Sequence, residues 1–290
     1  MEGIIVKAVS GFYYVKINDQ VYRCKARGRF KKEKLTLLVG DRVIISKTND
    51  MEAVIEELLP RKCRLLRPPV ANVQQVVVLF SLKDPPPNLL LLDRLLVLVE
   101  SNFLEAVVCL NKIDLVNIKE VSPLVQIYKK AGYRVILTSA LTGEGLEQVK
   151  QFLKGKVSVI TGPSGSGKST LLNNIQSGLK LKVGVISGKT RRGKQTTRHV
   201  ELLSLDFGGL VADSPGFSQL DLVNLKSEEL TYFFPEIAER AGHCRFAGCE
   251  HVHEPSCQIK KAVQHGDISS SRYNHYLIFL KEVKEAERSY

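Results

Sequence analysis

Gly162-Pro163-Ser164-Gly165-Ser166-Gly167-Lys168-Ser169 has the spacing GxxxxGK[ST]. It lies between an apolar run, Val157–Ile160, and a helical pattern opening at Lys168. Glycines at these intervals let the backbone turn its N–H groups inward, and the helix start adds a partial positive charge, so the ligand is a polyphosphate. The expected phosphate-binding residues are these eight together with Thr170. Lys168 would reach the terminal phosphates and stabilise charge during their transfer, while the Ser169 hydroxyl would ligate Mg²⁺. The motif does not name the nucleotide and would equally suit a nucleoside monophosphate kinase.

Asn111-Lys112-Ile113-Asp114 follows the apolar strand pattern Val107–Leu110. A carboxylate here can accept from the N1–H and exocyclic amine of guanine. Adenine offers no such donor pair, so the carboxylate would be left unpaired. Asn111 and Lys112 are expected to brace this loop against the phosphate loop. Thr138-Ser139-Ala140, ending the next strand, is expected to meet the guanine carbonyl through backbone N–H groups. Asp213-Ser214-Pro215-Gly216 fits DxxG, with Asp213 on the Mg²⁺ shell through water and the Gly216 N–H on the γ-phosphate. Gly193-Lys194-Gln195-Thr196-Thr197 supplies two hydroxyls, and one of these threonines is the natural switch ligand for Mg²⁺ and γ-phosphate.

A second cluster, Cys244-x4-Cys249-x-His251-x5-Cys257, gathers three thiols and an imidazole. Soft sulfur with one nitrogen in a closed set of four suits a single structural Zn²⁺, with no open position for catalysis. His243 and His253 are rivals for the nitrogen ligand. Cys24, Cys63 and Cys109 stand singly and are expected to be packed thiols.

These motifs need elements to place them. Residues 1–66 show short strand patterns, including Gly11–Ile17, Val21–Ala26 and Ala53–Leu58, that suit an RNA-binding OB-type β-barrel. After Pro68-Pro69, apolar strands alternate with helices: strands at Gln75–Phe80, Ala106–Leu110, Arg134–Leu137 and Val157–Ile160, and helices at Leu89–Glu100, Lys119–Ala131 and Leu146–Leu153. That alternation predicts a parallel α/β P-loop domain over residues 67–222. Residues 223–290 form a zinc-binding segment that ends in a helix, with Tyr273, Tyr276, Leu277, Leu280 and Val283 at helical spacing. The formal charge of +12 and a pI near 9.4 point to an anionic partner such as nucleic acid. The opening residues lack a signal-peptide pattern, and Leu89–Val99, broken by Asp93-Arg94, is too short to span a bilayer. A cytoplasmic monomer with no membrane partner is expected.

The motif order is unusual, because NKID and TSA precede the phosphate loop and DSPG. One sheet can be threaded from a new starting point when the old termini lie close together, so the order reads as a circular permutation. With NKID, TSA, GPSGSGKST, GxxTT, DSPGF and the Cys/His cluster in this order, the chain resembles the small-ribosomal-subunit-dependent GTPase A (RsgA) family over nearly its whole length. The resemblance implies GTP hydrolysis to GDP, binding of the small ribosomal subunit and its rRNA, and a role in late subunit maturation. Gln195 stands where family members often carry histidine, and is the candidate for assisting hydrolysis. Two other readings are a nucleoside monophosphate kinase, which NKID and DSPG disfavour, and an RNA-binding assembly module that binds nucleotide without turnover. If Asp114 reads guanine, Asp114→Asn will lose affinity for GTP and gain it for xanthosine triphosphate, whose base presents an acceptor at that edge. A competition titration checks this, and an unchanged preference for GTP places the specificity elsewhere.

Overall fold

The structure, a computed structural model, describes residues 1–65, 68–176, 200–213 and 220–289, with Lys31 and Asp213 described in backbone only. The chain begins with β1 (Glu2–Val9), β2 (Phe12–Ile17), β3 (Gln20–Ala26), helix α1 (Gly28–Lys32), β4 (Arg42–Lys47) and β5 (Glu52–Leu58). There follow β6 (Arg64–Leu65), β7 (Val70–Ala71), β8 (Gln75–Ser81), α2 (Leu89–Glu100), β9 (Glu105–Asn111), α3 (Ile118–Lys130) and β10 (Arg134–Thr138). Next come α4 (Leu146–Leu153), β11 (Val157–Thr161), α5 (Lys168–Ile175), β12 (Glu201–Ser204) and β13 (Leu210–Asp213). The chain closes with α6 (Pro235–Ala241), α7 (Gln258–His265) and α8 (Ser270–Glu287). No helix among the described residues is long and apolar enough to cross a membrane.

Contacts divide the chain into two units, the first comprising residues 1–76, 149–161 and 186–218 and the second the remainder. In the first unit, β1 to β5 form a five-stranded barrel in the order β1-β2-β3-β5-β4, closed by an antiparallel β1–β4 pairing. Closure removes exposed strand edges, and alternation supplies the core. Ile5, Val15, Cys24, Val43, Ile45 and Ile55 point inward and are fully buried, while Arg23 and Lys25 flank Cys24 on the outside. Burial of the Cys24 thiol pushes its pKa up to about 11, as suits a packed rather than a reactive cysteine. In the same unit β12 runs antiparallel to β1 and to β13, and β11 runs parallel to β13. The short helix α1 is an addition that the strand patterns did not reveal.

In the second unit β10, β9 and β8 are neighbours, with β10 parallel to β9 so that Arg134 faces Val107 and Thr138 faces Asn111. All seven residues of β8 are buried, as in a strand covered on both faces. Asn88 and Asn117 cap α2 and α3 by accepting from the N–H groups of Leu91 and Lys119, both at 3.0 Å. The C-terminal helices build their own apolar core, in which Phe234, Ile237, Ile259, Phe279 and Val283 are fully buried against Val97 of α2.

Asp93, an apparent break in an apolar helix, proves to be fully buried. Its Oδ1 accepts from the equally buried Arg272 guanidinium at 2.6 Å, and its Oδ2 lies 2.5 Å from His275 Nδ1. The same guanidinium donates to both carboxylate oxygens of Glu236 and lies near the faces of Tyr128, Tyr133 and Phe234. Burial alone would favour the neutral arginine, but the carboxylates of Asp93 and Glu236 outweigh it and hold the cation. Removing one partner from such a set leaves uncompensated buried charge. Arg272→Met is therefore expected to cost about 3–5 kcal/mol. Urea unfolding measures it, and a loss below about 1 kcal/mol, the size of a surface pair, would show that the network is solvated.

Candidate nucleotide site and metal centre

In the second unit the phosphate loop, residues 162–169, leads directly into α5. Gly162 has φ +149°, and a Cβ there would run into the Leu79 carbonyl of β8. Gly167, at φ +97°, precedes α5 in a left-handed conformation, where a Cβ would strike the Asn111 carboxamide. These two glycines let the loop lie against β8 and against the NKID segment. The Lys168 ammonium folds back onto the carbonyls of Gly162 and Pro163 at 2.8 and 2.7 Å. Burial lowers its pKa from the ordinary lysine value. Ser166 is buried, and its hydroxyl has no partner among the described residues.

Asn111 ends β9 and is 1% exposed. Its Nδ2 donates to the Ser166 carbonyl at 2.9 Å, which braces the NKID segment against the phosphate loop. Its Oδ1 accepts from Thr138 Oγ1 at 3.1 Å and from the Ala140 N–H at 3.0 Å. Lys112 takes a left-handed backbone, φ +67°, and a short 3₁₀ turn, Ile113–Leu115, then presents Asp114. Ser139 Oγ donates to Asp114 Oδ1 at 2.5 Å and accepts from the Thr142 N–H at 3.1 Å, which fixes the orientation of the carboxylate.

Two of these contacts differ from the sequence reading. The Lys112 ammonium binds the Asp84 carbonyl rather than the phosphate loop. The N–H groups of Ser139 and Ala140 are engaged within the protein, by the Glu144 carbonyl and by Asn111. Both therefore order the loop. Sequence reasoning did not reach Thr138 as a partner of Asn111, although its place at the end of β10, opposite Asn111 in register, carries that signal. Asp213 closes β13, in backbone only, while Gln195, Thr196, Thr197 and Gly216 lie outside the described residues.

The C-terminal cluster is assembled by the loop between α6 and α7. The ligand atoms of Cys244, Cys249, His251 and Cys257 lie within 4.8 Å of one another, so the set could hold a metal ion. Cys244 and Cys257 sulfurs are 3.9 Å apart, and His251 Nδ1 lies 3.6 and 3.4 Å from them. A tetrahedral ion with bonds of about 2.3 Å to sulfur and 2.0–2.1 Å to nitrogen requires edges of roughly 3.5–3.8 Å, so the donor set fits one. The structure selects Nδ1 of His251, not Nε2, as the ring atom facing the thiols. Tyr273 and Tyr276, expected only as helix core, donate from α8 to the His251 and Glu250 carbonyls at 2.6 and 3.0 Å and so anchor this loop.

The comparisons agree with the motif order. Residues 58–223 match the RsgA GTPase family, and residues 2–55 match the RsgA N-terminal domain. The chain is 47% identical to "Small ribosomal subunit biogenesis GTPase RsgA" of Caldanaerobacter subterraneus subsp. tengcongensis, over 99% of this chain and 97% of that one. It is 49% identical to the protein of the same name from Alkaliphilus metalliredigens, over 99% of each. Its fold is similar to the crystal structure of YjeQ from Thermotoga maritima, with TM-score 0.87 and 40% identity over 97% of this chain and 98% of that one. It is also similar to YloQ, described as a circularly permuted GTPase, with TM-score 0.84 and 40% identity over 98% of this chain and 95% of that one. Strand, phosphate loop and NKID thus occur in permuted order on a fold shared with solved relatives, and the chain belongs to the RsgA GTPase family of circularly permuted GTP hydrolases.

Proposed function

We propose that this protein hydrolyses GTP on the small ribosomal subunit and assists the subunit's late maturation. The observation that carries the reading is the Asn111 carboxamide, which joins the phosphate loop to the NKID and TSA loops in one buried site of GTPase type. Lys168 and the loop N–H groups stabilise the charge that develops on the transferred phosphoryl, while Asp114 selects the base. Ser169 and Asp213 would hold Mg²⁺, which supplies further charge neutralisation at the phosphates. Phe217 follows DSPG where many GTPases place a water-orienting glutamine, so Gln195, with Thr196 and Thr197 as switch residues, is the candidate for that work. In this reading residues 1–66 form the RNA-binding domain, 67–222 the GTPase domain and 223–290 the metal-binding segment.

Recognition of the subunit is supported by the net charge and by the barrel surface. Arg23 stands 3.8 Å over the Phe12 ring and Lys25 5.5 Å from it, a pairing of cations and an aromatic face suited to RNA. Adding purified small and large ribosomal subunits separately to a GTPase assay tests the proposal. Turnover should be slow for the free protein and rise only with the small subunit, which should bind more tightly with a non-hydrolysable GTP analogue than with GDP. Fast turnover by the free protein, or equal stimulation by either subunit, overturns it.

The ion in the Cys₃His set is read as Zn²⁺, from three soft sulfurs and one imidazole, the four donors that come together among the described residues. Metal analysis of the purified chain should give one zinc per molecule. Cys249→Ala combined with Cys257→Ala should lose it and loosen residues 223–290, because ligand bonds contribute folding energy to a short segment. Zinc retained at one equivalent by that double variant would refute the ligand set.

A further inference from the structure

Between β8 and α2 runs a loop, Leu82–Asn88, that none of the nucleotide motifs covers. It is nonetheless tied to the NKID segment and closed upon itself. The Leu82 N–H donates to the Asn111 carbonyl at 2.9 Å, and the Lys112 ammonium donates to the Asp84 carbonyl. Ser81, 1% exposed, donates its hydroxyl to the Pro85 carbonyl at 2.6 Å, one residue beyond the carbonyl that Lys112 uses. At the far end Asn88 caps α2. Lys112 and Asp84, the two partners of one hydrogen bond, both have left-handed backbones, at φ +67° and +49°. Non-glycine residues seldom adopt that conformation, and they keep it where the surroundings over-determine it, most often at binding sites.

We propose that Ser81 and the Asp84 carbonyl are positioning groups for the guanine base. Ser81 fixes Pro85, and with it the Asp84 carbonyl; that carbonyl holds the Lys112 ammonium and so steadies the left-handed residue from which the turn carrying Asp114 begins. A lysine anchored at its tip has already lost the side-chain entropy that base binding would otherwise cost. The brace acts on the base side and not on the γ-phosphate, so it governs affinity for GTP and GDP alike and leaves the chemical step alone. The inference rests on the reading of Asp114 as the guanine-selecting carboxylate.

The test uses the full chain, fluorescent GTP and GDP analogues, and steady-state kinetics. Ser81→Ala should weaken both nucleotides by the same factor, about fivefold for one buried hydrogen bond, and raise KM with kcat unchanged. Ser81→Thr, which keeps the hydroxyl, should restore affinity. Lys112→Met keeps a stem of similar length without the ammonium and should weaken binding by a comparable factor. In the Lys112→Met background, Ser81→Ala should add less than about twofold, because the two act through one contact. Multiplicative losses, a loss confined to GTP, or an unchanged KM in Lys112→Met would overturn the brace. If Ser81→Ala does not fold, as melting would report, the KM and kcat of Lys112→Met decide alone. Asp114→Asn separates the two levels. If it switches preference to xanthosine nucleotides while the Ser81 and Lys112 losses multiply, only the brace fails; if it keeps its preference for guanine, the underlying reading fails.

Discussion

The site is organised around a single carboxamide. Asn111 donates one hydrogen bond and accepts two, and the three partners belong to two segments distant from it in sequence: Ser166 in the phosphate loop, and Thr138 with Ala140 in the TSA loop. Its orientation is fixed by chemistry, since a carbonyl faces the nitrogen while a hydroxyl and an N–H face the oxygen. At 1% exposure the group has no water to fall back on, so any shift of one loop would leave a buried polar atom unpaired. That penalty keeps the phosphate loop, the base loop and the TSA loop in register. Gly167 belongs to the same constraint, because only a residue without a side chain lets the carboxamide approach.

A second constraint attaches the C-terminal segment to the helices that flank β8–β10. Arg272 of α8 joins Asp93 of α2 and Glu236 of α6 in a dry pocket walled by Tyr128, Tyr133 and Phe234. Arg94 adds a bidentate pair to Glu282 at 2.7 and 2.6 Å and lies over the Phe279 ring. Buried ion pairs of this kind specify an arrangement more than they stabilise it, because desolvation offsets much of the attraction. In the observed docking of α8 on α2, Asp93, Arg94, Glu236, Arg272 and Glu282 all have a partner of opposite charge. From α8, Tyr273 and Tyr276 reach the metal-binding loop. From α2, the chain leads back through Asn88 to the loop that contacts Lys112. Base loop and metal loop are thus joined by packed helices within one unit.

Much of this protein was determined by its sequence alone. Gly162–Ser169, Asn111–Asp114 and Cys244–Cys257 are local patterns, in which residue type and spacing are enough to state a chemistry. Their order along the chain revealed the permutation, which solved relatives bear out. Strand alternation gave the five-stranded barrel, because a period of two follows directly from the pleat. Charge gave the expectation of an anionic partner.

What the sequence could not supply were the long-range pairings. Asp93 looked like an interruption in an apolar helix and is instead half of a buried ion pair with a residue 179 positions away. Lys112 was assigned to the phosphate loop and meets Asp84, whose approach depends on how β8 and β9 lie side by side. The hydroxyl anchors that Tyr273 and Tyr276 give the metal loop follow from where α8 lies against it. In each case the decisive partner is distant in sequence, and its identity follows from burial. A polar group removed from water must find a partner in the fold, and only the tertiary structure decides which one comes within reach.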